Sequence, residues 1–122
     1  MKTEILVISD DILGYGNYRN ILEQRDFKVE FKCSISEAIK HISNDKKIRM
    51  IIIDFDIPVF RKQDLKTIKP LFKIGTNNII LVVKEINDNT LNECIDKYQI
   101  NVIKKPFEID DLLSDVEVVL NT

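Results

Sequence analysis

Met50-Ile51-Ile52-Ile53-Asp54-Phe55-Asp56-Ile57-Pro58 reads as a short apolar run that breaks at once into an acidic turn. Four consecutive apolar residues, three of them isoleucine, leave no polar face. That is the pattern of a parallel strand covered on both sides, not of a strand with one wet face. Working outward, the same kind of run recurs at Ile5–Ile8, more weakly around Val29–Phe31, at Ile79–Val83 and at Val102–Ile103. Helical spacing lies between the runs. Ile35, Ala38, Ile39 and Ile42 fall at i, i+3, i+4 and i+7, with Ser34 and Glu37 placed as a capping box in front of them. Leu91, Cys94, Ile95 and Tyr98 repeat the spacing, as do Ile109, Leu112, Leu113 and Val116. A further helix is expected over 13–25, its opening turn weakened by Gly14 and Gly16, and another near 62–73, ended or kinked by Pro70. Strand then helix, five times over, predicts a single doubly wound five-stranded parallel α/β sheet.

The chain has 122 residues, which suits one domain over 1–122, and 44% of them are hydrophobic, enough for a core without staples. A net charge of −2 speaks against a general nucleic-acid binder. Cys33 and Cys94 are far apart and His41 is the only histidine, so neither a zinc site nor a disulfide framework is expected, and a reducing cytoplasm is the default compartment. The opening apolar run is too short for a signal peptide, and Ile79–Val83 is too short to span a bilayer. No membrane partner is expected.

In doubly wound sheets ligands bind at the carboxyl ends of the strands, so the residues after each run matter most. After the first stand Ser9-Asp10-Asp11, after the third Asp54-Phe55-Asp56, and after the fifth Lys104-Lys105-Pro106-Phe107. Carboxylates from two strands and an ammonium from a third make a small site of both signs. Clustered carboxylates invite a hard cation such as Mg²⁺, and a rim lysine would face an anion bound to it as a point charge.

Taken in order, these segments resemble the receiver domain of two-component response regulators over essentially the whole chain. Ile5-Leu6-Val7-Ile8-Ser9-Asp10-Asp11 is similar to that family's first strand and acidic turn. Leu22-Glu23-Gln24-Arg25-Asp26-Phe27 is similar to the end of its first helix. Asp54 with Pro58 four residues on resembles its phosphoacceptor loop, and Lys105-Pro106-Phe107 its Lys-Pro-Phe turn. The resemblance implies a flavodoxin-like (βα)5 fold with strand order 2-1-3-4-5. It implies that Asp54 accepts a phosphoryl group from a histidine kinase or phosphotransfer protein. Asp10, Asp54 and the backbone carbonyl of Asp56 would hold a weakly bound Mg²⁺, with Asp11 a further candidate ligand. Lys105 would contact the phosphoryl group, and the peptide before Pro106 would be cis. Such a chain is a signalling phosphoprotein of a phosphorelay that assists its own phosphorylation and slow dephosphorylation, rather than an enzyme acting on other substrates. Its output would be a changed protein surface around the fourth helix, fifth strand and fifth helix, a face that could also form a homodimer.

The chain departs from the family pattern in four places: the glycine expected a few residues after Pro58 is missing from Val59-Phe60-Arg61-Lys62-Gln63, and three single positions differ. Ser9 replaces the first acid of the acidic turn; a slip of one residue would make Asp10 and Asp11 the pair but break the match of the apolar run. Val83 stands where a hydroxyl residue is expected after the fourth strand. Val102 stands where an aromatic ring is expected in the fifth, and its stiff χ1 cannot imitate a rotating ring. The alternative reading is therefore a pseudo-receiver, a constitutive protein-interaction module of the same fold. A metal-dependent phosphohydrolase fits less well, because Asp56 supplies a second acid but nothing forms a substrate cap. Simpler roles compete at each position. Single aspartates after strands often cap helices, Lys104 reads as a solvated strand end, and His41 as a boundary histidine. Cys33 and Cys94 read as small buried or boundary hydrophobes. Tyr15 and Tyr18 flank the glycines near the site; either could cover the pocket, with packing the simpler reading.

Overall fold

The computed structural model describes residues 3–9, 12–44, 47–54, 66, 70, 78–83, 89–105 and 107–120, with the backbone alone described at 12–15, 89–91 and 94. Its elements run β1 (Glu4–Ser9), α1 (Ile12–Glu23), β2 (Lys28–Lys32), α2 (Ile35–Asn44), β3 (Ile48–Asp54), β4 (Ile79–Val83), α3 (Asn89–Tyr98), β5 (Asn101–Lys104) and α4 (Ile109–Leu120). The five strands form one parallel sheet in the order β2-β1-β3-β4-β5, as expected. Of the helix expected near 62–73 only Lys66 and Pro70 are described, both helical.

Every residue of β1 and β4 is buried, as are all but Arg49 in β3. Alternate side chains of these strands serve opposite cores. Leu6, Ile8, Ile51, Ile53, Leu81 and Val83 pack with Ile35, Ala38 and Ile42 of α2, while Ile95 and Tyr98 of α3 cover the same face. Ile5, Val7, Met50, Ile52, Ile80 and Val82 pack with Tyr18 and Leu22 of α1 and with Leu112, Val116 and Val119 of α4. Among the described residues helices cover both faces, which explains why the runs carry no polar alternation: both sides of the central strands are dry. The edge strand β2 has one buried residue, Val29, and carries Lys28, Glu30 and Lys32, which discourages pairing with another chain. Glu4, buried at the start of β1, meets Lys28 Nζ at 3.1 Å.

The caps follow local chemistry. Ser34 Oγ accepts a hydrogen bond from the Glu37 amide at 3.2 Å, the first half of the expected capping box. Helix α1 runs through both glycines and closes before the expected residue 25, in a Schellman turn: the Phe27 amide donates to the Leu22 carbonyl and the Asp26 amide to the Glu23 carbonyl, with Asp26 at φ 69°. Helix α3 ends alike, the Ile100 amide donating to the Ile95 carbonyl with Gln99 at φ 54°. Cys33 is exposed rather than buried or at a boundary, because it lies in the bend between β2 and α2 and not on a packed face. The Cys94 side chain lies outside the described residues. His41 is half-buried, as a boundary residue should be.

Candidate functional site

Chain winding reverses between β1 and β3, because β2 lies on one side of β1 and β3 on the other. A crevice at the carboxyl ends of these two strands is the expected ligand position in such a sheet. Two residues mark it. Ser9 ends β1 and Asp54 ends β3, and they are paired in the ladder. Both are buried, Ser9 at 1% and Asp54 at 7% exposure. Asp54 also pairs with Val82 of β4, so its backbone is fixed from both sides.

Lys105 arrives from the far side of β4. Its amide donates to the Val83 carbonyl at 2.8 Å, extending the β4–β5 ladder one residue beyond β5. The strand order leaves two inter-strand spacings, roughly 10 Å, between the β3 and β5 backbones. A lysine's four-carbon stem can cover most of that distance. Nζ of Lys105 meets Asp54 Oδ1 at 2.5 Å. Oδ1 is inaccessible to solvent and, among the described residues, has no aligned hydrogen bond, so this contact is a charge pair that is dry at its carboxylate end and partly exposed at its lysine end.

The second carboxylate oxygen has a different partner. Tyr18, one helical turn before Leu22 in the buried stripe of α1, donates its hydroxyl to Asp54 Oδ2 at 2.5 Å. The phenol is 4% exposed, and its ring lies 6.3 Å from that of Phe107 in a tilted pair. Burial first, then the Asp54 charge and the hydrogen bond to it, hold the phenol's pKa far above the ordinary tyrosine value. Tyr18 is thus a neutral donor at any physiological pH. Asp54, Lys105, Tyr18, Phe107, Ile21 and Leu113 line part of a cleft of about 790 Å³ between α1 and the start of α4.

Asp54 and Lys105 are therefore brought together, with Ser9 alongside. Val83 is 1% exposed and apolar at the end of β4. Val102 pairs with Leu81 and packs, partly buried, against the core beneath α2 and α3. Asp10, Asp11, Asp56 and Pro106 lie outside the described residues. Among the described residues no group of three or more His, Cys, Asp or Glu side chains is placed to hold a metal. The expected ligands Asp10, Asp54 and the Asp56 carbonyl, with Asp11 a further candidate, are all oxygen donors, which suit Mg²⁺ rather than a softer ion. The Tyr15 side chain lies outside the described residues. Tyr18 packs in the core as expected, and its hydroxyl makes in addition the bond to Asp54 that the sequence reading missed. The available signal was a tyrosine inside an apolar helical stripe, because a buried phenol needs a polar partner. Among the described residues no helix is long and apolar enough to cross a membrane.

The geometry can be set beside known proteins. No curated protein matches the chain. Solved structures match its fold. A response regulator from Thermotoga maritima superposes with a TM-score of 0.78 at 19% identity, covering 100% of both chains. The CheY-like receiver domain protein of Methanospirillum hungatei gives 0.76 at 21% identity over 99% of this chain and 95% of its own. A signal receiver domain from Clostridium thermocellum gives 0.78 at 17% identity over 100% of both. The family model described as the response regulator receiver domain matches residues 5–117, nearly the whole sheet with its helices, and the chain belongs to that family.

Proposed function

We propose that residues 1–122 form one phosphoacceptor receiver, taking a phosphoryl group onto Asp54 from a histidine kinase or phosphotransfer protein and so modulating a protein-interaction surface. The observation that supports this reading is the pairing of the buried Asp54 with the half-buried Lys105 at the winding reversal. Phosphoryl transfer asks a protein mainly to position groups and stabilise charge. Asp54 is fixed by ladders on two sides, and Lys105 is already within reach of the anion that phosphorylation would place there. A carboxylate nucleophile yields a labile acyl phosphate, as a reversible switch requires. Asp10, Asp54 and the Asp56 carbonyl would hold Mg²⁺, with Asp11 as a further candidate. The ion would neutralise charge on the phosphoryl oxygens. The reading places the chain in a phosphorelay at work in the cytoplasm.

A specific observation also favours the pseudo-receiver reading. The buried Val83 has no hydroxyl to grip a phosphoryl group, and Ser9 removes an acid from the site. Incubation with Mg²⁺ and phosphoramidate, followed by intact mass, separates the two. One phosphate on the wild type and none on Asp54→Ala is the expected result; an unmodified wild type selects the constitutive module.

A further inference from the structure

We propose that the Tyr18 hydroxyl restrains Asp54, stabilising the free carboxylate relative to the acyl phosphate and so slowing its phosphorylation. The inference rests on the phosphoacceptor reading and adds to it a residue from a different part of the sheet's surroundings, helix α1. The Asp54 carboxylate is engaged at both oxygens, by Lys105 at Oδ1 and by the Tyr18 hydroxyl at Oδ2. These two donors stand differently toward the reaction. An Asp54 oxygen forms a bond to phosphorus while the P–N bond of a phosphohistidine or phosphoramidate donor breaks. The bonding pair leaves with nitrogen, which takes up a proton from solvent. The negative charge of the carboxylate passes to the phosphoryl group. Lys105 is long and partly exposed, and it can follow that charge. Tyr18 is held on a helix with its ring in the core and against Phe107, so its hydroxyl stays where Oδ2 is.

Oδ2 loses its anionic character whichever oxygen attacks. As the nucleophile it becomes the bridging oxygen of the acyl phosphate; as the bystander it becomes a neutral carbonyl oxygen. A hydrogen bond to an ionised acceptor is about twice as strong as one to a neutral acceptor. The bond is therefore stronger before transfer than after it. An interaction stronger in the ground state than in the transition state slows the reaction.

Tyr18→Phe tests the restraint while keeping the ring in the core and beside Phe107. Phosphate uptake from phosphoramidate with Mg²⁺, followed by intact mass, should be about fivefold faster in Tyr18→Phe than in the wild type. Tyr18→Leu, which lacks the hydroxyl and is also apolar, should change the rate in the same direction. A shift of the Asp54 carboxyl carbon resonance in Tyr18→Phe, with the amide resonances of β1 and β3 in place, is the accompanying signature of a lost bond rather than a loosened fold. Equal uptake by Tyr18→Phe and the wild type, both abolished by Asp54→Ala, overturns the restraint and leaves the phosphoacceptor reading standing. Slower uptake in Tyr18→Phe overturns it too, since the hydroxyl would then follow the charge onto the phosphoryl group. Uptake by none of the proteins removes the phosphoacceptor reading and the restraint together.

Discussion

Ser9 stands opposite Asp54 in the β1–β3 ladder, and both residues are buried. Ser9→Asp would set two acids side by side in a dry pocket. Without a cation their repulsion and desolvation should lower stability by about 1–3 kcal/mol. With Mg²⁺ the pair becomes a better oxygen site, tightening the ion by about 10- to 100-fold, the range typical of supporting ligands. Thermal unfolding in EDTA and across an Mg²⁺ titration checks both halves. A Ser9→Asp variant whose melting responds to Mg²⁺ no more than the wild type would show that position 9 does not border the cation.

Val83 closes β4 with an apolar side chain 1% exposed, beside the strand end that carries Asp54. A phosphoryl group there finds no hydroxyl on β4, and a ligand moves an equilibrium only by its differential affinity for the two states. Phosphorylation of the wild type should shift amide resonances near Asp54 and leave Val102 and α4 nearly unmoved, and it should not drive dimerisation. Val83→Thr should cost about 1–2 kcal/mol of stability for the buried hydroxyl. In exchange, the phosphorylated variant should show shifts spreading toward Val102. Broad shifts in the phosphorylated wild type would contradict this.

Tyr18 makes stability fall in alkali. Its folded pKa is raised above the unfolded value of about 10, so the native state keeps a proton that the unfolded chain releases. The stabilisation is fully present below pH 10 and is lost as pH rises beyond it. Above about pH 10 the wild type should lose stability about 1.4 kcal/mol per pH unit more steeply than Tyr18→Phe. Urea unfolding of both proteins in EDTA across that range measures the difference. Parallel profiles would show that the phenol is not buried against Asp54.

The sheet was legible because its strands are dry on both faces. Unbroken runs such as Ile79–Val83 admit few other readings, and there the expected and observed limits coincide. Flanking polar residues at Glu4, Lys28 and Asn101 hid the strand starts, because ladder hydrogen bonds extend the strands past the apolar signal. Asp54 and Lys105 could be singled out because they stand at the carboxyl ends of strands. Tyr18 could not, since its bond to Asp54 spans 36 positions and depends on how α1 lies across the sheet. Helix ends were hidden for a related reason: neither Asp26 nor Gln99 is the glycine that commonly marks a left-handed cap.

Gln99 carries a measurable cost. At φ 54° its Cβ crowds the backbone, at a penalty of roughly 1–2 kcal/mol for an L-residue. Gln99→Gly should therefore raise stability, by about 0.5–1 kcal/mol after the added freedom of the unfolded chain is subtracted. Chemical denaturation gives the value. A loss of stability would mean that the Gln99 side chain makes compensating contacts.

The central claim is that Asp54, held between Tyr18 and Lys105, is the atom-bearing acceptor of phosphate. Borohydride reduces an aspartyl phosphate to homoserine and leaves free carboxylates untouched. After treatment with phosphoramidate and Mg²⁺, reduction and peptide mapping of the wild type should place homoserine at position 54 and nowhere else. Homoserine at another aspartate, or none in a protein that has gained phosphate, would contradict the account.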